Sequence, residues 1–268
     1  MTGFIDVPGG SIYHEVTGEG PDVILVHAGV ANLRMWDPLV PLVADRYRVT
    51  RYDTRGFGRT ETEHVEFSNR ADLVAVLDHV GAKTATVVGA SRGGIIALDT
   101  VIEFPHRFDG LVTVAGAVGG YQPDIEEDVS IWQEAERRWE SKEWEWLADF
   151  ETKMWCDGPG QPAGRVDTAV REMVHGWILS NYRAEKEEGI PQPLEPPAAE
   201  RLDEVDVPVL VVIGEFDEEG TNASSRHLAE SVKGARLIEY EGAAHMLSLE
   251  HPGRFSDDLL GFLSTVNA

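Results

Sequence analysis

The chain has 268 residues, 42% of them hydrophobic, and its 47 acidic against 23 basic residues give a formal net charge of −24. That length allows one large α/β domain with an insertion, and a surface so acidic argues against nucleic-acid and anionic-membrane partners. No apolar run approaches the ~20 residues of a membrane span, the first residues lack the basic and apolar regions of a signal peptide, and the lone Cys156 excludes an internal disulfide and fits a reducing cytoplasm.

Phe4 to Val7 and Ser11 to Val16 flank Pro8-Gly9-Gly10 and read as a hairpin. Val23 to Val26 is a continuous apolar run, as expected of a strand buried on both faces, and Tyr47 to Tyr52 is a shorter one. Leu73, Val76, Leu77 and Val80 fall at helical spacing within Asn69 to Val80, with Ser68 or Asn69 as N-cap. A strand over Thr86 to Val88, a helix over Gly93 to Glu103 stopped by Pro105, and a strand over Leu111 to Ala115 continue the alternation. Strands alternating with helices predict a mostly parallel, doubly wound sheet.

The pattern changes at Gly119. Residues 120–200 hold no clear buried strand, and six of the seven tryptophans lie there, between Trp132 and Trp177. Ile131 to Phe150 reads as one acidic, tryptophan-rich helix, Asp157-Gly158-Pro159-Gly160 as a turn, Asp167 to Tyr182 as a second helix, and Pro191 to Pro197 as a return segment. Val209 to Ile213 restarts the sheet. A helix over Asn222 to Val232, a strand over Ala235 to Tyr240 and a helix over Pro252 to Leu263 complete it, with Pro252 suited to a first turn.

Chemistry concentrates at the carboxyl ends of these strands. Gly89-Ala90-Ser91-Arg92-Gly93 fits G-x-S-x-G between a strand and a helix, where a sharp turn lifts a serine hydroxyl above the sheet and the next helix aims its N-terminal amides at the same spot. A phosphate-binding turn is the other reading of such glycines, but no lysine stands in the Walker position. Serine needs a base. Of nine histidines, His245 stands out in Gly242-Ala243-Ala244-His245, directly after the last strand. His251 precedes a helix start, and His14, His64, His79, His106, His175 and His227 occupy positions without triad logic. The base in turn needs a carboxylate. Asp217 follows the strand ending at Ile213, with Glu215, Glu218 and Glu219 as rivals. An oxyanion site calls for the backbone N–H of Arg92 and a second donor from His27-Ala28-Gly29-Val30, either Gly29 or Val30. His27 itself reads as a residue that orders this loop.

Together these residues resemble the α/β-hydrolase fold superfamily across nearly the whole chain. His27-Ala28-Gly29 stands where many members have H-G-x, and Asp53-Thr54-Arg55-Gly56-Phe57-Gly58-Arg59-Thr60 looks like their D-x-R-G-x-G-x-S/T segment. The resemblance implies an Asp53–Arg55 ion pair shaping the loop under the site. It also implies a core of residues 1–119 and 201–268 with a helical cap of residues 120–200. There the tryptophans mainly pack cap helices, and a subset lines an apolar pocket. Ala28 departs from the usual glycine. Arg92 replaces a commonly neutral residue, and its side chain reads as structural.

The implied activity is that of a serine esterase or lactonase acting on a small molecule. The same triad also serves carbon–carbon bond hydrolysis and perhydrolysis, and the fold also serves small-molecule receptors. Serine at position 91 argues against the haloalkane and epoxide chemistry of an aspartate nucleophile. A dicarboxylate enol-lactone fits the acidic surface poorly. No cofactor or metal is expected, since H-E-x-x-H, Cys/His ligand spacing and a G-x-G-x-x-G after the first strand are missing. The oligomeric state is not encoded in any of these features.

Overall fold

A computed structural model describes residues 1–125 and 129–266; residues 126–128, within the expected cap, lie outside the described residues. Eight strands form the main sheet: β1 (Thr2–Val7), β2 (Gly10–Thr17), β3 (Asp22–Val26), β4 (Arg48–Tyr52), β5 (Ala85–Ala90), β6 (Phe108–Val114), β7 (Val209–Gly214) and β8 (Arg236–Tyr240). Their spatial order is β1-β2-β4-β3-β5-β6-β7-β8, and the two-residue strand Glu61–Thr62 pairs with the start of β2. β2 runs antiparallel to β1 and β4, and the remaining neighbours pair in parallel. The order reverses direction around β3 and β5, and that switch point opens a crevice at the carboxyl ends of the strands.

The longer helices are α1 (Asn69–His79), α2 (Arg92–Glu103), α3 (Val129–Glu140), α4 (Trp144–Glu151), α5 (Thr168–Ala184), α6 (Glu219–Ser231) and α7 (Pro252–Val266), with single turns at Val40–Val43 and Leu247–Glu250. Alternation along β3 builds two cores. Val23 and Leu25 pack one face with Trp36, Leu39, Phe255 and Phe262, while Ile24 and Val26 pack the other with Leu73, Leu77, Ile96 and Val101. This is the doubly wound arrangement expected of strands buried on both faces.

α3, α4 and α5 form a helical insert between β6 and β7. The single helix expected over Ile131 to Phe150 is instead two. Lys142, with φ +55°, breaks it, and Ser141 and Lys142 donate back to Arg137 O and Trp139 O to close the first helix. α4 passes directly into a π-helical turn, Thr152–Asp157. Ile190–Pro191 adds a short strand against Glu66–Phe67, outside the main sheet. α6 begins three residues before the expected Asn222, because the Glu218 carboxylate accepts the N–H groups of Gly220 and Thr221 at 2.8 and 2.7 Å. Ser68 caps α1 as anticipated, accepting the Ala71 N–H. Among the described residues no helix is long and apolar enough to cross a membrane.

Candidate active site

Ser91 sits between β5 and α2 with φ +52° and ψ −120°, a strained conformation for a side chain with a Cβ. Its N–H donates to Val114 O at 2.8 Å and its carbonyl accepts from Gly94 N at 2.8 Å, which fixes the turn on both sides. The flanking glycines are required by close approach. A Cβ on Gly89 would lie 2.1 Å from Gly93 O, and one on Gly93 would lie 2.3 Å from Val26 O and 2.7 Å from His27 O. The start of α2 therefore rests directly on the end of β3, the strand leading into the expected oxyanion loop.

His245 lies beyond β8. Its Nδ1 is 2.9 Å from each carboxylate oxygen of Asp217, in the loop after β7, and both side chains are almost fully buried. Asp217 is further oriented by the Glu218 N–H, which donates to Oδ1 at 2.7 Å. The rivals have other roles: Glu215 accepts the Gly242 N–H, Glu218 caps α6, and Glu219 is exposed. Nδ1 is thus committed to Asp217, leaving Nε2 as the free ring nitrogen. Ser91 and His245 line one cavity of about 530 Å³ together with Gly29 and Val30. Among the described residues Ser91 Oγ makes no hydrogen bond; such contacts often tighten only around a substrate. Trp155, on the π-helical turn, leans against the His245 ring at 4.7 Å between centroids.

The loop carrying Gly29 is held by a directional hydrogen-bond chain. Thr54 N–H donates to His27 Nε2 at 3.0 Å, so the ring proton resides on Nδ1 and is donated to Ala28 O at 2.7 Å. Arg92 Nη1 donates to Thr54 Oγ1 at 2.8 Å, and that hydroxyl lies 3.1 Å from His27 Nε2. Burial lowers the His27 pKa to about 3, which keeps the ring neutral as this pattern requires. The Arg92 side chain also lies over the Phe57 ring and borders a second cavity, not the one holding Ser91. The side chain thus braces the Thr54–His27 pair that holds the loop.

The expected Asp53–Arg55 ion pair is not formed. Arg55 instead makes a bidentate pair with Asp72 on α1, at 2.7 and 3.0 Å, and donates to Pro8 O and Gly9 O. Asp53 accepts backbone N–H groups of Leu33 and Arg59. Gly58 follows from this, since with φ +53° a Cβ there would fall 2.1 Å from the Asp53 carboxylate. The resemblance implied that these two charges pair; in the fold each is met by other partners.

The tryptophans divide. Trp139, Trp144 and Trp155 line the cavity. Trp146 stacks on Phe150, Trp132 packs against Phe150 and Trp155, and Trp177 packs against the core. Two positioning residues carried no sequence signal. Arg165 donates to Cys156 O, Asp157 O and Gly242 O, and pairs with Glu250, whose other oxygen accepts the Ala244 N–H. The insert is thereby fastened to the loop that carries His245. Of the other histidines, His14 is buried against His79, while His64 and His175 pair with Glu187 and Asp149. His227 stacks on Tyr121 and His251 is exposed. Among the described residues no group of three His, Cys, Asp or Glu side chains could hold a metal ion.

A family model described as alpha/beta hydrolase fold matches residues 21–252. The chain is 27% identical over 264 residues to a pimeloyl-(acyl-carrier protein) methyl ester esterase of Aeromonas hydrophila, covering 94% of this chain and 99% of that one. It is also 27% identical over 242 residues to 3-oxoadipate enol-lactonase 2 of Acinetobacter baylyi, covering 88% and 86%. Among solved structures, a thermophilic esterase from Thermogutta terrifontis shares the fold with a TM-score of 0.80 and 24% identity over 100% of both chains.

Proposed function

Because the chain belongs to the α/β-hydrolase fold family, we propose that it is a serine hydrolase cleaving small or medium carboxylic esters or lactones. The observation that carries this reading is the buried Asp217–His245 hydrogen bond beside a cavity shared with Ser91 on its strained turn. Ser91 Oγ attacks the substrate carbonyl while His245 Nε2 takes the hydroxyl proton. Asp217 holds the ring in the tautomer with Nδ1 protonated and stabilises the imidazolium as it forms. Backbone N–H groups of Arg92 and of Gly29 or Val30 receive the developing oxyanion, an interaction stronger in the transition state than in the ground state. The proton passes from His245 to the leaving alcohol. A water then attacks the acyl-enzyme by the same route in reverse and frees Ser91. The helical segment within residues 120–200 acts as a cap that shapes the acyl and alcohol sites.

The test is turnover of p-nitrophenyl esters of increasing chain length beside simple lactones. Ser91→Ala is expected to lower kcat by at least about 10⁴-fold, and a fluorophosphonate is expected to label the native chain at Ser91. Full activity in Ser91→Ala would overturn the proposal. So would the absence of both turnover and labelling across the panel, and ligand-induced thermal stabilisation without turnover would then point to a receptor on this fold.

A further inference from the structure

Glu151 ends α4 inside the cavity that holds Ser91 and His245. Its Oε1 accepts a hydrogen bond from the Tyr182 hydroxyl at 2.5 Å. Among the described residues it has no ion-pair partner, and burial raises its pKa, against which the Tyr182 bond works. The Tyr182 hydroxyl meets one oxygen of this carboxyl group, and a charge of opposite sign would offset the rest of its desolvation. Its surroundings are aromatic. The Tyr182 ring stacks on Trp144 at 5.5 Å and 14° and meets Trp139 edge-on at 5.4 Å, and all three rings line the cavity.

The other charges in the cavity do not neutralise it. Lys186 is the lysine of the lining; its ammonium keeps its charge, donates to Gly58 O and Thr60 O, and makes no ion pair with Glu151. Glu185 and Glu188 add two further carboxylates, of which Glu185 is paired with Lys142. A carboxyl group among aromatic rings that line one cavity is chemistry that holds an organic cation: the cation favours the ionised carboxylate, and aromatic rings attract cations. The whole chain, at −24, draws cations toward the site over longer range.

We infer that this cavity selects esters bearing an ammonium group, seated beside Glu151 and the aromatic cluster of Tyr182, Trp144 and Trp139. The inference rests on the serine-hydrolase reading only for the bond that is cut; the cation site itself stands on the cavity. A neutral hydrocarbon in the same place would leave the Glu151 charge buried against it. An anionic acyl group would meet like charge.

The experiment compares acetylthiocholine with its uncharged carbon isostere, 3,3-dimethylbutyl thioacetate, by release of thiol from the native chain. The cationic substrate is expected to have a kcat/KM higher by at least about tenfold. Glu151→Gln is expected to bring the ratio close to one. Equal or lower kcat/KM for the cation on the native chain overturns the inference while leaving the hydrolase reading intact. A tenfold preference that persists in Glu151→Gln overturns the assignment to Glu151. Should neither thioester be cleaved, choline is titrated against the tryptophan fluorescence of the native chain. Saturable quenching would sustain the cation site although the hydrolase reading had failed, and no response at about 10 mM would overturn it.

Discussion

Asp99 on α2 has a carboxylate oxygen that is buried with no hydrogen-bond partner, and burial pushes its pKa up from 3.8 to about 6. Between those two values the folded chain holds a proton that the unfolded chain has lost. Stability from this group is therefore present at low pH and is lost as pH rises through about 6. Asp99→Asn keeps the shape and removes the charge. It is expected to raise Tm by about 4 °C at pH 7.5, with the gain shrinking below pH 6 and vanishing near pH 4, as thermal melts across that range would show. Catalytic candidates were legible at this scale because their chemistry is tied to local grammar. Ser91 stands in a strand-turn-helix sequence, and Asp217 and His245 each follow a strand directly. The partners of Arg55 were not legible, since Asp72 lies on a helix that only the tertiary fold brings beside it.

At the scale of elements, Arg165 joins the insert to the loop after β8 through three backbone carbonyls and the buried Glu250 carboxylate. Removing one partner of a buried pair leaves the other charge uncompensated, at a cost of about 3–5 kcal/mol. Arg165→Ala is expected to lower Tm on the order of 10 °C and to lower kcat more than it changes KM, because Glu250 also positions the Ala244 N–H next to His245. Melting curves and steady-state kinetics check the two halves. Lysine at this position should not restore either, since one ammonium cannot reproduce the guanidinium fork. The sheet was readable in chain order because fully buried parallel strands are near-continuous apolar runs. The insert was less so. The Lys142 break in a tryptophan-rich run and the π-helical turn after Glu151 depend on packing that leaves no periodic trace.

For the molecule as a whole, the chain length left room for an α/β sheet with a helical insertion, and the fold has that form, while the inferred cation site draws on residues far apart in the chain. Glu151 and Tyr182 are 31 positions apart, and neither has a motif. Cys156 has a different meaning at this scale. It is fully buried within the π-helical turn, and burial pushes its thiol up to about 12, so at neutral pH it is neither exposed nor ionised. A disulfide-exchange reagent such as dithiobisnitrobenzoate should leave the native chain unmodified for hours and titrate one thiol in denaturant. Arg165→Ala should shorten the protected period. One sulfur inside the insert thus works as an intrinsic clock, its rate of modification timing any loosening of the turn that encloses it.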